Sequence, residues 1–118
     1  MSMAANLVII MVALSHLYFL ALEMFLWDKP LGMKTFRLTP EKARETKALA
    51  ANQGLYNGFL AAGLAWGLWL GAQGFQIKLF FLACVLAAGV FGALTVSRRI
   101  FFAQGLPAAL GIALLLLA

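Results

Sequence analysis

A carboxylate, an imidazole, three amides, a phenol and two guanidiniums sit within or at the ends of otherwise apolar stretches of this sequence. His16 and Glu23 interrupt "ALSHLYFLALEMFLW", Asn52, Gln53, Tyr56 and Asn57 interrupt "LAANQGLYNGFLAAG", and Arg98 and Arg99 lead into "RRIFF". Amides orient a bound polar molecule, guanidiniums hold an anion, and a phenol such as that of Tyr56 donates a hydrogen bond or a proton to developing negative charge, a catalytic role. A lone carboxylate in an apolar helix, as Glu23 would be, can instead hold a proton and a cation in turn. His16 lies seven residues before Glu23, so the two share one helix face, two turns apart. On the wheel of the second block, with Gly54 set at zero, Glu41, Glu45, Asn52 and Tyr56 fall at about 140° to 200°, with Gln53 and Asn57 following at about 260° and 300°. This arc is expected to face away from Gly54 and Gly58. A polar group turned to lipid has no water to bind, so the arc is expected to face protein or a wet cavity.

Each residue also has a plainer reading. Glu23 paired with Lys29, Arg98 or Arg99 would merely hold helices together, His16 could be a neutral interhelix hydrogen bond, and the amides could be interhelical glue. Arg98 and Arg99 serve equally as topology signals against lipid phosphate. One His and one Cys without clustered carboxylates give no metal site, and no metal is expected. Phosphate-binding glycine loops and nucleophilic triads are absent from the sequence.

The elements that must position these groups are apolar helices. Of 118 residues, 64% are hydrophobic and 11% charged, against about half and a quarter in an ordinary soluble domain, so the chain reads as a membrane protein. Four blocks approach the roughly 20 residues needed to cross a hydrocarbon core. They run from about residue 5 to 27, 48 to 70, 77 to 96 and 100 to 118. Gly105 and Pro107 interrupt the last, which predicts a short or tilted span. The first block lacks a preceding Lys or Arg and is too long for a signal peptide's apolar region, so it is expected to stay in the chain. Cys84 lies inside the third block and is expected to act as a small buried hydrophobe.

Six of the nine cations (Lys29, Lys34, Arg37, Lys42, Arg44 and Lys47) fall between the first two blocks, Arg98 and Arg99 between the last two, and Lys78 alone between the second and third. With four crossings, the positive-inside rule puts eight of the nine on the cytoplasmic side and both termini on the other. Anionic headgroups then account for the net charge of +5 without nucleic acid. Between the first two blocks, Asp28, Pro30 and Gly32 end a helix, and a cytoplasmic loop spans about 28–39. Thr39, Pro40 and Glu41 read as an N-cap, a first-turn proline and an acid that complements the helix dipole. The second helix is therefore expected from about 40 to 70, with its first turns outside the bilayer. "GAQGFQ" reads as a tight turn. The whole is expected to be one all-α transmembrane domain, a four-helix bundle in a bacterial inner membrane. Gly54 with Gly58, and Gly63 with Gly67 and Gly71, mark two opposite faces of the second helix, for packing inside the chain or against another subunit.

The stretches "ALSHLYFLALEMFLW" and "LAANQGLYNGFLAAGLAWGL" resemble a family of small bacterial membrane proteins known as domain of unknown function 1304, over nearly the whole chain. A weaker likeness in plan, through "MKTFRLTPEKARETKALAANQGLYN" and "VSRRIFFAQGLPAALG", is to the membrane-associated proteins of eicosanoid and glutathione metabolism. That likeness implies four helices with both ends outside the cytosol, a trimer, and glutathione held in a cytosol-facing crevice between subunits. Asn57 matches that group's second-helix asparagine, whereas Tyr56 stands where an acid is usual and Gln53 where another asparagine is usual. Lys47 is the nearest cation, one turn out of register, and Arg98 or Arg99 corresponds to a basic residue near the third helix's end.

Three functions fit these residues. In the first, a cytosol-facing crevice lined by His16, Glu23, Glu45, Asn52, Gln53, Asn57, Arg98 and Arg99 binds a small anionic or amphipathic ligand, with Tyr56 as its catalytic residue if the protein is an enzyme. In the second, Glu23 couples proton movement to transport of a small molecule. In the third, the protein is a structural or assembly component without a ligand.

Overall fold

The computed structural model describes residues 3–118, and over them the chain is all-α. Helix α1 spans Met3–Met24, α2 Pro30–Phe36, α3 Pro40–Trp69 and α4 Phe75–Thr95. A short α5, Arg98–Ile100, continues through a π-helical turn, Phe101–Gly105, into α6, Leu106–Leu117. Three segments are long and apolar enough to cross a membrane, namely Met3–Met24, Gly71–Thr95 and Arg98–Leu117, and they make this a multi-pass membrane protein by length and composition. The longer α3 is not among them. Its polar residues, Asn52, Gln53 and Asn57 included, dilute the apolar run that follows its charged first turns.

Local chemistry explains where the helices begin and end. Thr39 caps α3 as its sequence predicts, its hydroxyl accepting from Lys42 N–H at 3.1 Å, with Pro40 opening the helix. Ser97 caps α5 in the same way, accepting from Arg99 N–H at 3.2 Å. The stretch expected as a loop contains α2. Pro30 starts it, and Arg37, in the left-handed region at φ 56°, ψ 51°, stops it while Leu38 N–H closes onto Met33 O at 2.8 Å. Gly105 and Pro107 do not break the last segment. Pro107 has no N–H to give, and the backbone takes a wider turn in which Leu106 N–H bonds Phe101 O, so the helix continues from Arg98 to Leu117. "GAQG" forms a single 3₁₀ turn, Gly71–Gly74, entered through Gly71 at φ 64°.

The chain forms two compact units. One comprises α1 through Leu14 together with Leu60–Ala118. Its core joins Ala5, Ile9 and Val12 of α1, Ala61 and Leu64 of α3, Leu82 and Val85 of α4, and Ala108 and Leu115 of α6. The other unit, Ser15–Phe59, holds the end of α1, α2 and the first two-thirds of α3. There α3 lies close against α1. A Cβ placed on Gly54 would stand 2.6 Å from Met24 Cγ and 3.1 Å from Glu23 Cβ, and one on Gly58 would stand 2.7 Å from Leu20 Cδ1. In the first unit Gly63 meets the Phe81 ring and Gly67 meets Lys78. Both small-residue faces of α3 are thus occupied by helices of the same chain.

Polar contacts pin the Ser15–Phe59 unit at its basic end. Trp27 Nε1 donates to Thr46 Oγ1 at 3.0 Å, and Lys47 Nζ pairs with Asp28 Oδ2 at 2.9 Å. The Lys47 hydrogen bond holds the Asp28 carboxyl below its ordinary value of 3.8. A carboxyl depressed on folding contributes stability above its unfolded value, and that contribution is lost as pH falls through the folded one. Lys47→Met is therefore expected to move the Asp28 titration, followed by carboxyl carbon NMR, upward toward 3.8, and an unmoved midpoint would remove the pair from the account.

Candidate functional site

Glu23 is the second-last residue of α1, 8% exposed, and Asn57 lies in the middle of α3, 5% exposed. The Asn57 amide Nδ2 donates to Glu23 Oε1 at 2.5 Å. Gly54, one turn before Asn57, makes this possible, because the missing side chain lets α3 settle onto Glu23 and Met24. Among the described residues the ion pair is between Lys47 and Asp28, and none reaches Glu23. Lys29, in the same compact unit, therefore does not neutralise it. An amide lends one hydrogen bond without charge, so this carboxyl is left to accept a proton or a cation.

His16 is buried as well, 1% exposed, with the Phe19 ring edge-on at 5.4 Å between centroids. It lies two turns before Glu23 on the same side of α1. The remaining predicted site residues stand differently. Glu45, Asn52 and Gln53 are exposed along α3, and Tyr56 is 57% exposed with its ring against Phe59 at 5.8 Å. Arg98 and Arg99 are exposed at the start of α5, in the other compact unit.

The structure thus joins Glu23 to Asn57 and leaves Asn52, Gln53 and Tyr56 on the outer surface of the same helix. The expectation that the whole arc turns away from Gly54 and Gly58 needs correcting at Asn57, which is buried on their side. The reason is angular. From Asn52 to Asn57 the arc covers about 140° of the helix, more than one packed neighbour covers, and Asn57 lies only about 60° from Gly54.

A second buried polar pair escaped the reading of the sequence. Lys78, in the first turns of α4, is fully buried, and its Nζ donates to Asn6 Oδ1 at 3.1 Å. Gly67 of α3 makes room for the stem, since a Cβ there would stand 2.8 Å from Lys78 Cγ. From the sequence Lys78 reads as a cation between two blocks and Asn6 as part of an apolar run. The available signal was its place within "FQIKLFF", where a lysine inside an apolar helix must find an acceptor.

The family described as "Protein of unknown function (DUF1304)" matches residues 10–116, which takes in both α1 and α3 and the Glu23–Asn57 pair they form. The chain belongs to this family. The chain is also similar to the uncharacterized protein YpaA of Lactococcus lactis subsp. lactis (strain IL1403), 26% identical over 98 residues, which cover 81% of this chain and 82% of that protein. No solved structure matches the chain. Neither likeness attaches an activity or a ligand to the DUF1304 chain. The chemistry has to be argued from the buried carboxyl itself.

Proposed function

We propose that this protein is a small multi-pass membrane protein that binds a small amphipathic cation at Glu23 in exchange for a proton, the binding step of proton-coupled transport. The observation that carries it is the buried carboxyl of Glu23, whose hydrogen-bond partner is the neutral Asn57 amide and which no described cation of its own compact unit pairs. A buried carboxylate without a counter-charge is expensive, so holding it favours an exchangeable positive partner over a static one. The same observation weighs against an anionic ligand at this place, where it would meet the Glu23 carboxylate. The proposed setting is a bacterial inner membrane, crossed by α1, α3, α4 and the Arg98–Leu117 segment, with both termini on the non-cytoplasmic side. It is supported by the cations between α1 and α3 and by the burial of Lys78, which leaves the turn between α3 and α4 and the first residues of α4 without an exposed cation.

The test is proton release into weakly buffered detergent solution on adding tetraphenylphosphonium, with glutathione as the anionic arm. About one proton per bound cation is expected for the natural chain and none for Glu23→Gln with unchanged helical circular dichroism. Equal release by Glu23→Gln, or binding of glutathione with no effect of tetraphenylphosphonium, would overturn the proposal.

A further inference from the structure

The outer face of α3 between Glu45 and Phe59 has a pattern that neither water nor lipid satisfies. Leu49 is 73% exposed, Tyr56 57% and Phe59 54%, and Asn52 between them is exposed too. Their spacing is three, four and three residues, and Glu45, four residues earlier, continues it toward the basic end of the helix. This is the alternation of a seam between parallel helices, with Leu49 and Tyr56 at one set of core positions and Asn52 and Phe59 at the other. The opposite side of the same stretch is already used, since Ala43, Ala50, Gly54 and Asn57 are buried within the chain.

Water would leave Leu49 and Phe59 exposed at a cost, and lipid would leave the Asn52 amide without partners. A protein surface of the same mixed composition meets both needs. We infer that this seam is the contact between copies of the chain, running parallel, with Asn52 of one copy beside Asn52 of the next. Membrane insertion gives every copy the same orientation, which makes the pairing parallel. The occupant is another copy because an amide carries both a donor and an acceptor and so bonds its own equivalent across a symmetry axis. An asparagine at a single seam position also sets register, since sliding by one turn would strand the amide against Leu49 or Tyr56. Glu45 lies at the solvated end, where like carboxylates from two copies remain in water. The contact is independent of the cation-binding role of Glu23.

The experiment is disulfide cross-linking of the full chain in native membranes, on a Cys84→Ser background, with Asn52→Cys and Tyr56→Cys at the seam. Lys47→Cys serves as control, exposed on the same helix but about 140° or more from Asn52 and Tyr56. Covalently joined copies are expected at least tenfold more abundant for the two seam variants than for the control. Asn52→Asp, which places like charges across the axis, is expected to weaken self-association in detergent at least tenfold by sedimentation with helical circular dichroism unchanged. Cross-linking at the level of Lys47→Cys, or a monomer for the natural chain at all concentrations, would overturn the inference and leave lipid as the occupant of the seam.

Discussion

Gly89→Leu is expected to force α4 away from the π-helical turn of residues 101–105 and to abolish stable folding of the unit that contains both. A Cβ at Gly89 would lie 2.5 Å from Gly105 N, 2.6 Å from Gly105 Cα and 3.3 Å from Gln104 C. All three are backbone atoms. A side chain in the way can change rotamer, whereas here a helix must move, and two glycines facing each other are what permits the approach. Even Gly89→Ala is expected to cost about 1–3 kcal/mol, the range of core overpacking, and leucine more. Gly111→Ala is the matched control, because its Cβ would stand 3.3 Å from the Leu82 methyls, and it is expected to cost less than about 1 kcal/mol. Reversible unfolding in mixed micelles, followed by circular dichroism, ranks the three variants. Equal stability of Gly89→Ala and Gly111→Ala would mean that α4 and the turn do not meet backbone to backbone.

The second large effect is expected at the buried amide. Asn57→Leu removes the side-chain donor to Glu23 among the described residues and leaves a carboxyl in an apolar surrounding, at a cost of about 1–3 kcal/mol, more when the carboxyl is ionised. Glu23→Gln keeps a hydrogen-bonding side chain of the same shape and is expected to cost less than about 1 kcal/mol. The double variant Glu23→Leu with Asn57→Leu should recover most of what Asn57→Leu loses, since no polar group is then stranded. With the single variant Glu23→Leu added, Asn57→Leu and the double variant form a double-mutant cycle, and an interaction of about 1–3 kcal/mol is expected from it. Strict additivity would show that the two side chains do not act on each other. Folding and function separate cleanly in this series, because Glu23→Gln keeps the fold while ending the proposed proton exchange.

Much of the molecule was legible along the chain because the signals are local. Apolar runs of sufficient length marked α1, α4 and the Arg98–Leu117 segment, and Thr39 before Pro40 marked the start of α3, because capping depends only on the residues beside the cap. The pairing of α1 with α3 was foreshadowed by polar residues on both, whereas Gly54 and Gly58, which mediate it, read as facing the other way. Helix α2 was hidden because its seven residues are too few for an apolar period to be read. The π-helical turn was hidden because a proline signals that one hydrogen bond is missing without saying how the backbone adapts.

Sequence alone determined that the chain is helical and membrane-suited, and which polar side chains its apolar helices carry. Tertiary structure decided which of them are paired. Asn57, and not Asn52 or Gln53, meets Glu23, and Lys78 meets Asn6. A helix's own periodicity places each side chain at an angle about its axis but does not say from which angle the neighbour approaches. That direction is set by where two surfaces fit most closely, at Gly54 against Met24 in one unit and at Gly67 against Lys78 in the other.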